Sequence, residues 1–174
     1  MSGEEKISGK YFSDEVNVID KLYSPCLKWA DKYVRDAGYF NSSVYRTMSK
    51  EILDFVIRDQ KNHIYLITNL DILPSDFDAI VSKTTKSEDQ IITELKSMLE
   101  DEVLRDPVKM LAAIVNAGQM TVYVSLRKRV AKNSRNQDHS KSGYFSKGKI
   151  SEGGKIVAFD GSINETYPAT VRGL

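Results

Sequence analysis

Apolar residues recur along this chain in two rhythms, and the alternation between them outlines a layered α/β protein. Val44, Met48, Ile52, Phe55 and Val56 fall on one face of a helix, which Ser42 or Ser43 caps and which stops near Lys61. The run His63-Ile64-Tyr65-Leu66-Ile67-Thr68 is β-rich and apolar throughout, as expected of a strand buried between helix layers. Upstream, the apolar positions between Asn17 and Val34 are too irregular around Pro25 for one helix. They predict a turn, then a helix from Ser24 with Pro25 at its first position, then a short strand from Lys32 to Tyr39. Strand, helix and strand in that order predict a parallel βαβ unit.

Further along, Ser75 heads a short helix through Phe77, Ile80 and Val81, and Thr85 to Ser87 forms a hydrophilic junction. Ile91, Leu95, Met98 and Leu99 mark a second amphipathic helix. Asp106-Pro107 opens a third, with Val108, Leu111, Ala112 and Val115 inward and Asn116-Ala117-Gly118 at its end. Gln119 to Leu126 alternates as a strand. After a polar, basic connection from Arg127 to Asp138, a strand is predicted from His139 to Phe145. A glycine-rich hairpin around Gly148 and Gly153-Gly154 then leads to a strand from Lys155 to Phe159 that runs into Gly161.

Length and composition add bounds to this outline. At 174 residues and 41% hydrophobic content the chain suits one domain with a real core, over residues 18–174. Residues 1–17 read as a flexible polar arm in which Tyr11 and Phe12 alone are suited to docking. No apolar run approaches the length of a membrane span. The charged start Met1-Ser2-Gly3-Glu4-Glu5-Lys6 lacks a following signal core, so a cytoplasmic protein without a membrane partner is expected. Cys26 is the single cysteine, which excludes an intrachain disulfide and a zinc-cysteine cluster; it reads as a small buried hydrophobe.

Charge is unevenly distributed. The net charge is +1, yet residues 1–126 carry −5 while residues 127–155 hold nine bases against two acids. That basic stretch, with Arg127, Lys128, Arg129 and Arg135 among its cations, surrounds the pair His139-x-Lys141. Two residues apart on a strand, an imidazole and an ammonium point to the same face and can converge on one anionic group. Attack on a phosphodiester needs a nucleophile, and neutral imidazole is one. It also needs cations and amide donors around the non-bridging oxygens. Lys141, together with Ser162 and Asn164 of the block Gly161-Ser162-Ile163-Asn164, completes such a set without a metal or any other cofactor.

The segment His139-Ser140-Lys141, an apolar strand, and then Gly161-Ser162-Ile163-Asn164-Glu165-Thr166 resembles the HKD signature of the phospholipase D superfamily. It is most similar to the branch of phospholipase D-like nucleases and helicase-associated modules. Leu22-Tyr23-Ser24-Pro25 and Ala37-Gly38-Tyr39-Phe40 look like the opening of the same module. Ser146 stands where the superfamily usually has an aspartate, a position that this branch often leaves without the acid. The resemblance implies a mixed, mainly parallel sheet flanked by helices. It makes His139 the nucleophile that forms a phosphohistidine, with Lys141 and Asn164 on the non-bridging oxygens and Ser162 bonded to the phosphate or the histidine. Gly161 then permits close backbone approach or simply makes a turn. Glu165 orients His139 or is a solvated carboxylate.

Family members use two His-Lys motifs about a two-fold axis, because a general acid must protonate the leaving group while the first imidazole attacks. This chain has one such motif. Its other histidine, His63, has no lysine two residues on and reads as structural. The resemblance therefore implies a homodimer with a shared site. The basic segment favours DNA as substrate, in a restriction or helicase-linked system with a fused or associated helicase. Two alternatives stay open at this point: a non-catalytic module that binds DNA or dimerises for a helicase, and a phospholipid phosphodiesterase.

Overall fold

The computed structural model describes residues 17–69, 71–125 and 141–161. A π-helical turn, Ile19–Tyr23, runs directly into helix α1, Ser24–Trp29, with Pro25 in its first turn, where a missing N–H costs nothing. Strand β1 follows at Lys32–Ala37, shorter than the expected Lys32 to Tyr39. After a 3-10 turn at Ser42–Val44 comes helix α2, Tyr45–Arg58, and then strand β2, His63–Thr68. The cap of this helical stretch is Asn41, whose side chain accepts from Ser43 N at 2.8 Å; neither expected serine fills that role.

Helices α3 (Pro74–Val81), α4 (Glu88–Glu100) and α5 (Pro107–Asn116) connect β2 to strand β3, Met120–Val124. Ser87 closes a capping box with Gln90 at the start of α4, and Asp106 caps α5 through Lys109 N. At the far end of α5, Gly118 takes φ +71°, a conformation costly for any residue with a Cβ. Strands β4 (Lys141–Lys147) and β5 (Lys155–Asp160) form an antiparallel hairpin, with Gly148 and Gly153 at positive φ in its connection.

The five strands form one sheet in the order β3-β2-β1-β4-β5. Pairings β1-β2 and β2-β3 are parallel, while β1-β4 and β4-β5 are antiparallel, so the sheet is mixed in equal parts. Both parallel crossovers step in the same direction along the sheet. Right-handed crossovers of that kind deposit their helices on one face. The burial pattern agrees: Tyr33, Arg35 and Ala37 of β1 and Ile64, Leu66 and Thr68 of β2 are buried, and their neighbours in sequence are not. Strand β2 was expected to be covered on both faces; among the described residues only one face carries helices, which is why its burial alternates.

One core unites the inward strand face with Ile52, Leu53, Phe55 and Val56 of α2, Leu95 of α4, and Met110, Leu111 and Ile114 of α5. At its β4 side lies an aromatic cluster. Tyr33 and Phe145 stack at 4.7 Å between ring centroids, Tyr23 meets both edge-on, and Phe159 lies 5.5 Å from Phe145. Each such pair adds roughly 0.5–1.5 kcal/mol beyond the area it buries. Cys26 is fully buried, as the sequence suggested, and desolvation pushes its thiol up to about 11. Two helices depart from expectation. In α5 the fully inward positions are Met110, Leu111, Ala113 and Ile114, while Val108, Ala112 and Val115 are only partly covered. In α3, Phe77 and Val81 face solvent and the buried residues are Asp76 and Ala79.

Candidate functional site

In an open α/β sheet, the carboxyl ends of the parallel strands are where loops can diverge and leave room for a ligand. Here those ends are Ala37, Thr68 and Val124, which lie side by side in the register. Strand β4 runs the other way and begins at the same edge, with Lys141 paired to Ala37. Strand β5 runs back and finishes there: Asp160 pairs with Ser142, and the next positions along the ladder are Lys141 and Gly161. The hairpin therefore brings Lys141 and Gly161, twenty positions apart in sequence, to one end of the sheet.

Lys141 is half-buried. Alternation along β4 gives it the face of Gly143 and Phe145, which is the helix-covered face. Its backbone carbonyl accepts a 3.0 Å hydrogen bond from Nη1 of Arg35. Arg35 is a core residue, 2% exposed, and its guanidinium lies 5.1 Å from the centroid of the Phe159 ring. Between them sits Gly143, paired to Arg35 on one side and Phe159 on the other. A Cβ at Gly143 would meet the Val34 carbonyl oxygen at 2.5 Å and the Phe159 ring at 2.7 Å. The Val34 carbonyl and the Phe159 ring thus occupy the space over a residue that must have no side chain.

Two loops leaving this edge are tied to each other. The carboxylate of Asp76, fully buried at the start of α3, accepts from Ser42 N at 2.9 Å and from Ser42 Oγ at 2.6 Å. Thr68, on β2, is also buried, and among the described residues its Oγ1 has no hydrogen-bond partner. On the opposite sheet face at this edge, Asp36, Ser142 and Asp160 form a row.

Ser146 is buried near the other end of β4 opposite Lys32, and its carbonyl accepts from Asp31 N at 2.9 Å. Five steps along the strand separate it from Lys141, about 17 Å at strand rise, beyond the reach of any side chain at that position. His63 lies at the same remote end, on β2. Its Nε2 is 2.8 Å from Thr121 Oγ1, and burial lowers its pKa, which fits the structural role read from the sequence.

Of the residues singled out from the sequence, Lys141 and Gly161 are thus placed together. His139, Ser162, Asn164, Glu165, Arg127, Lys128, Arg129 and Arg135 lie outside the described residues, as do residues 1–16 of the expected N-terminal arm. Sequence reasoning passed over Arg35, Gly143, Thr68 and the Ser42–Asp76 pair. Period-two alternation held a signal for the first: Arg35 sits between Tyr33 and Ala37 at an inward position, where a cation is exceptional. Among the described residues no group of three His, Cys, Asp or Glu side chains is arranged to hold a metal ion, and no helix is long and apolar enough to cross a membrane. Compared with family models, with curated proteins and with solved structures, the chain matches none.

Proposed function

We propose that this chain is a metal-independent phosphodiesterase of the phospholipase D kind, acting on DNA, with two copies sharing one site. The observation that carries the reading is the convergence of Lys141 and Gly161 at the carboxyl edge of the parallel strands, since these two residues belong to the two halves of the HKD-like pattern. In the proposed reaction an imidazole nitrogen of His139 attacks phosphorus, and the bond from phosphorus to the leaving oxygen breaks. His139 of the partner subunit gives that oxygen a proton. Water then attacks phosphorus, the phosphorus–nitrogen bond breaks to release His139, and the same partner imidazole takes up the proton that the water loses. Lys141 and Asn164 hold the non-bridging oxygens, the lysine as a compact charge and the amide as a directional donor. The remoteness of Ser146 favours the catalytic reading over that of a module disabled at this position.

The test is nicking of supercoiled plasmid in excess EDTA by wild type, His139→Ala and Lys141→Ala. Cleavage by wild type and its loss by roughly 100-fold or more in each variant is the expected result, the scale on which positioned acid-base groups act. Cleavage that survives in His139→Ala overturns the mechanism. Intact plasmid together with salt-sensitive binding replaces it with a DNA-binding module, and turnover on phospholipid vesicles alone replaces the substrate.

A further inference from the structure

The row Leu66, Arg35, Gly143, Phe159 runs across four strands on the core face, one step inward from Lys141. A leucine at position 35 would fill that row without burying a charge, and well-packed apolar replacements of buried ions are often neutral or stabilising. Guanidinium does something that leucine cannot. It remains protonated at any working pH and presents N–H groups in a rigid planar fork, one of which bonds the carbonyl of Lys141 itself. The Phe159 face supports the same guanidinium at 5.1 Å, and Gly143 removes the side chain that would separate the two. Strand β4 is thereby held at its first residue, from below, by a group whose own rotamer is fixed on both sides.

We propose that Arg35 is a positioning residue for Lys141: its bond to the lysine's carbonyl, braced by Phe159 across Gly143, sets where the ammonium stands at the sheet edge. This rests on the reading of Lys141 as a phosphate-holding group. A backbone shift at the root of a substrate-contacting side chain is felt as lost turnover, and a misplacement of about 1 Å costs on the order of 100-fold.

The test compares Arg35→Met, which keeps volume and removes the donor, with Arg35→Lys, which keeps charge and loses the fork, and with Phe159→Leu, which removes the brace. Each is made in the wild-type and Lys141→Ala backgrounds, and urea midpoints record whether each variant is folded. The first readout is the NMR resonance of Lys141 after reductive 13C-methylation, assigned by its absence in Lys141→Arg, with and without inorganic phosphate. The second is kcat against KM for oligonucleotide cleavage. Expected are a displaced Lys141 resonance in Arg35→Met with a weakened response to phosphate, and a kcat lowered roughly tenfold or more with a smaller change in KM. Arg35→Lys and Phe159→Leu should fall between, and Arg35→Met should have no further effect once Lys141 is alanine. An unmoved Lys141 resonance in folded Arg35→Met overturns the proposal, as does an equal loss of kcat in both backgrounds. A wild type that cleaves nothing ends the phosphodiesterase reading, and the lysine resonance still decides the role of Arg35.

Discussion

At Gly143 one absent atom governs how three strands meet. Alanine ordinarily stabilises a strand relative to glycine, yet here its Cβ would press on the Val34 carbonyl oxygen and the Phe159 ring. Gly143→Ala should therefore lose about 1–3 kcal/mol, the cost of overpacking, seen as a lower urea midpoint at an unchanged slope. His63 yields a pH dependence with a definite sign. Burial lowers its pKa below the usual 6.5, so the unfolded chain binds the proton more readily. The contribution of His63 to stability is full above pH 6.5 and declines as pH falls through that value toward the folded pKa. Urea midpoints measured at pH 7.5 and pH 5 should fall less on acidification for His63→Asn than for wild type. The sequence foretold the burial of Cys26, because a small apolar thiol among apolar neighbours has few other uses. Arg35 was passed over: alternation sets it at an inward position, but nothing local reveals its partner, a carbonyl more than one hundred residues away.

Elements whose orientation is set by apolar burial alone were legible. Helix α2 buries the residues its spacing predicted, α4 buries Ile91, Leu95 and Met98 with Leu99 only partly covered, and β2 has the boundaries of its apolar run. Helix α3 was not, and the reason is Asp76. Periodicity counts apolar residues, and it turned Phe77, Ile80 and Val81 inward; the helix instead orients itself so that a carboxylate reaches Ser42 across the loops after β1 and β2. That choice leaves Phe77 52% exposed. Asp76→Ala strands both the N–H and the hydroxyl of Ser42, and each buried group left without a partner costs about 1–3 kcal/mol. Thermal unfolding should show the loss, and Ser42→Ala combined with Asp76→Ala should cost less than the two single changes added together.

For the molecule as a whole, the sequence conveyed the α/β class, the βαβ start and the closing hairpin, while the covering of the sheet differed from expectation. Two-sided burial was inferred for β2 from an unbroken apolar run. Tyr65 and Ile67 are half-buried on the face that carries no helix among the described residues, so an apolar run alone did not reveal how many layers cover it. The site was legible only as far as the hairpin reading went: it predicted an antiparallel pair bringing Lys141 and Asn164 toward one sheet end, and the structure places Lys141 there beside Gly161, while Asn164 lies outside the described residues. Charge offers a prediction at this scale. If the basic residues from 127 to 155 meet a polyanion, log K for DNA should fall linearly with log salt. Replacing Arg127, Lys128 and Arg129 by alanine should flatten that slope by up to about 0.9 for each phosphate that is no longer neutralised, as measured by fluorescence anisotropy.

The sheet order has one more consequence, for how the chain is made. Strand β1 lies at the centre, but its neighbour on one side is β4, whose residues leave the ribosome more than one hundred positions later. Until then β1 presents a bare row of amide and carbonyl groups, an invitation for strands of other chains to pair there. A nascent chain stalled before residue 141 should be prone to self-association, and the arrival of the hairpin both seals that edge and delivers the lysine to its place.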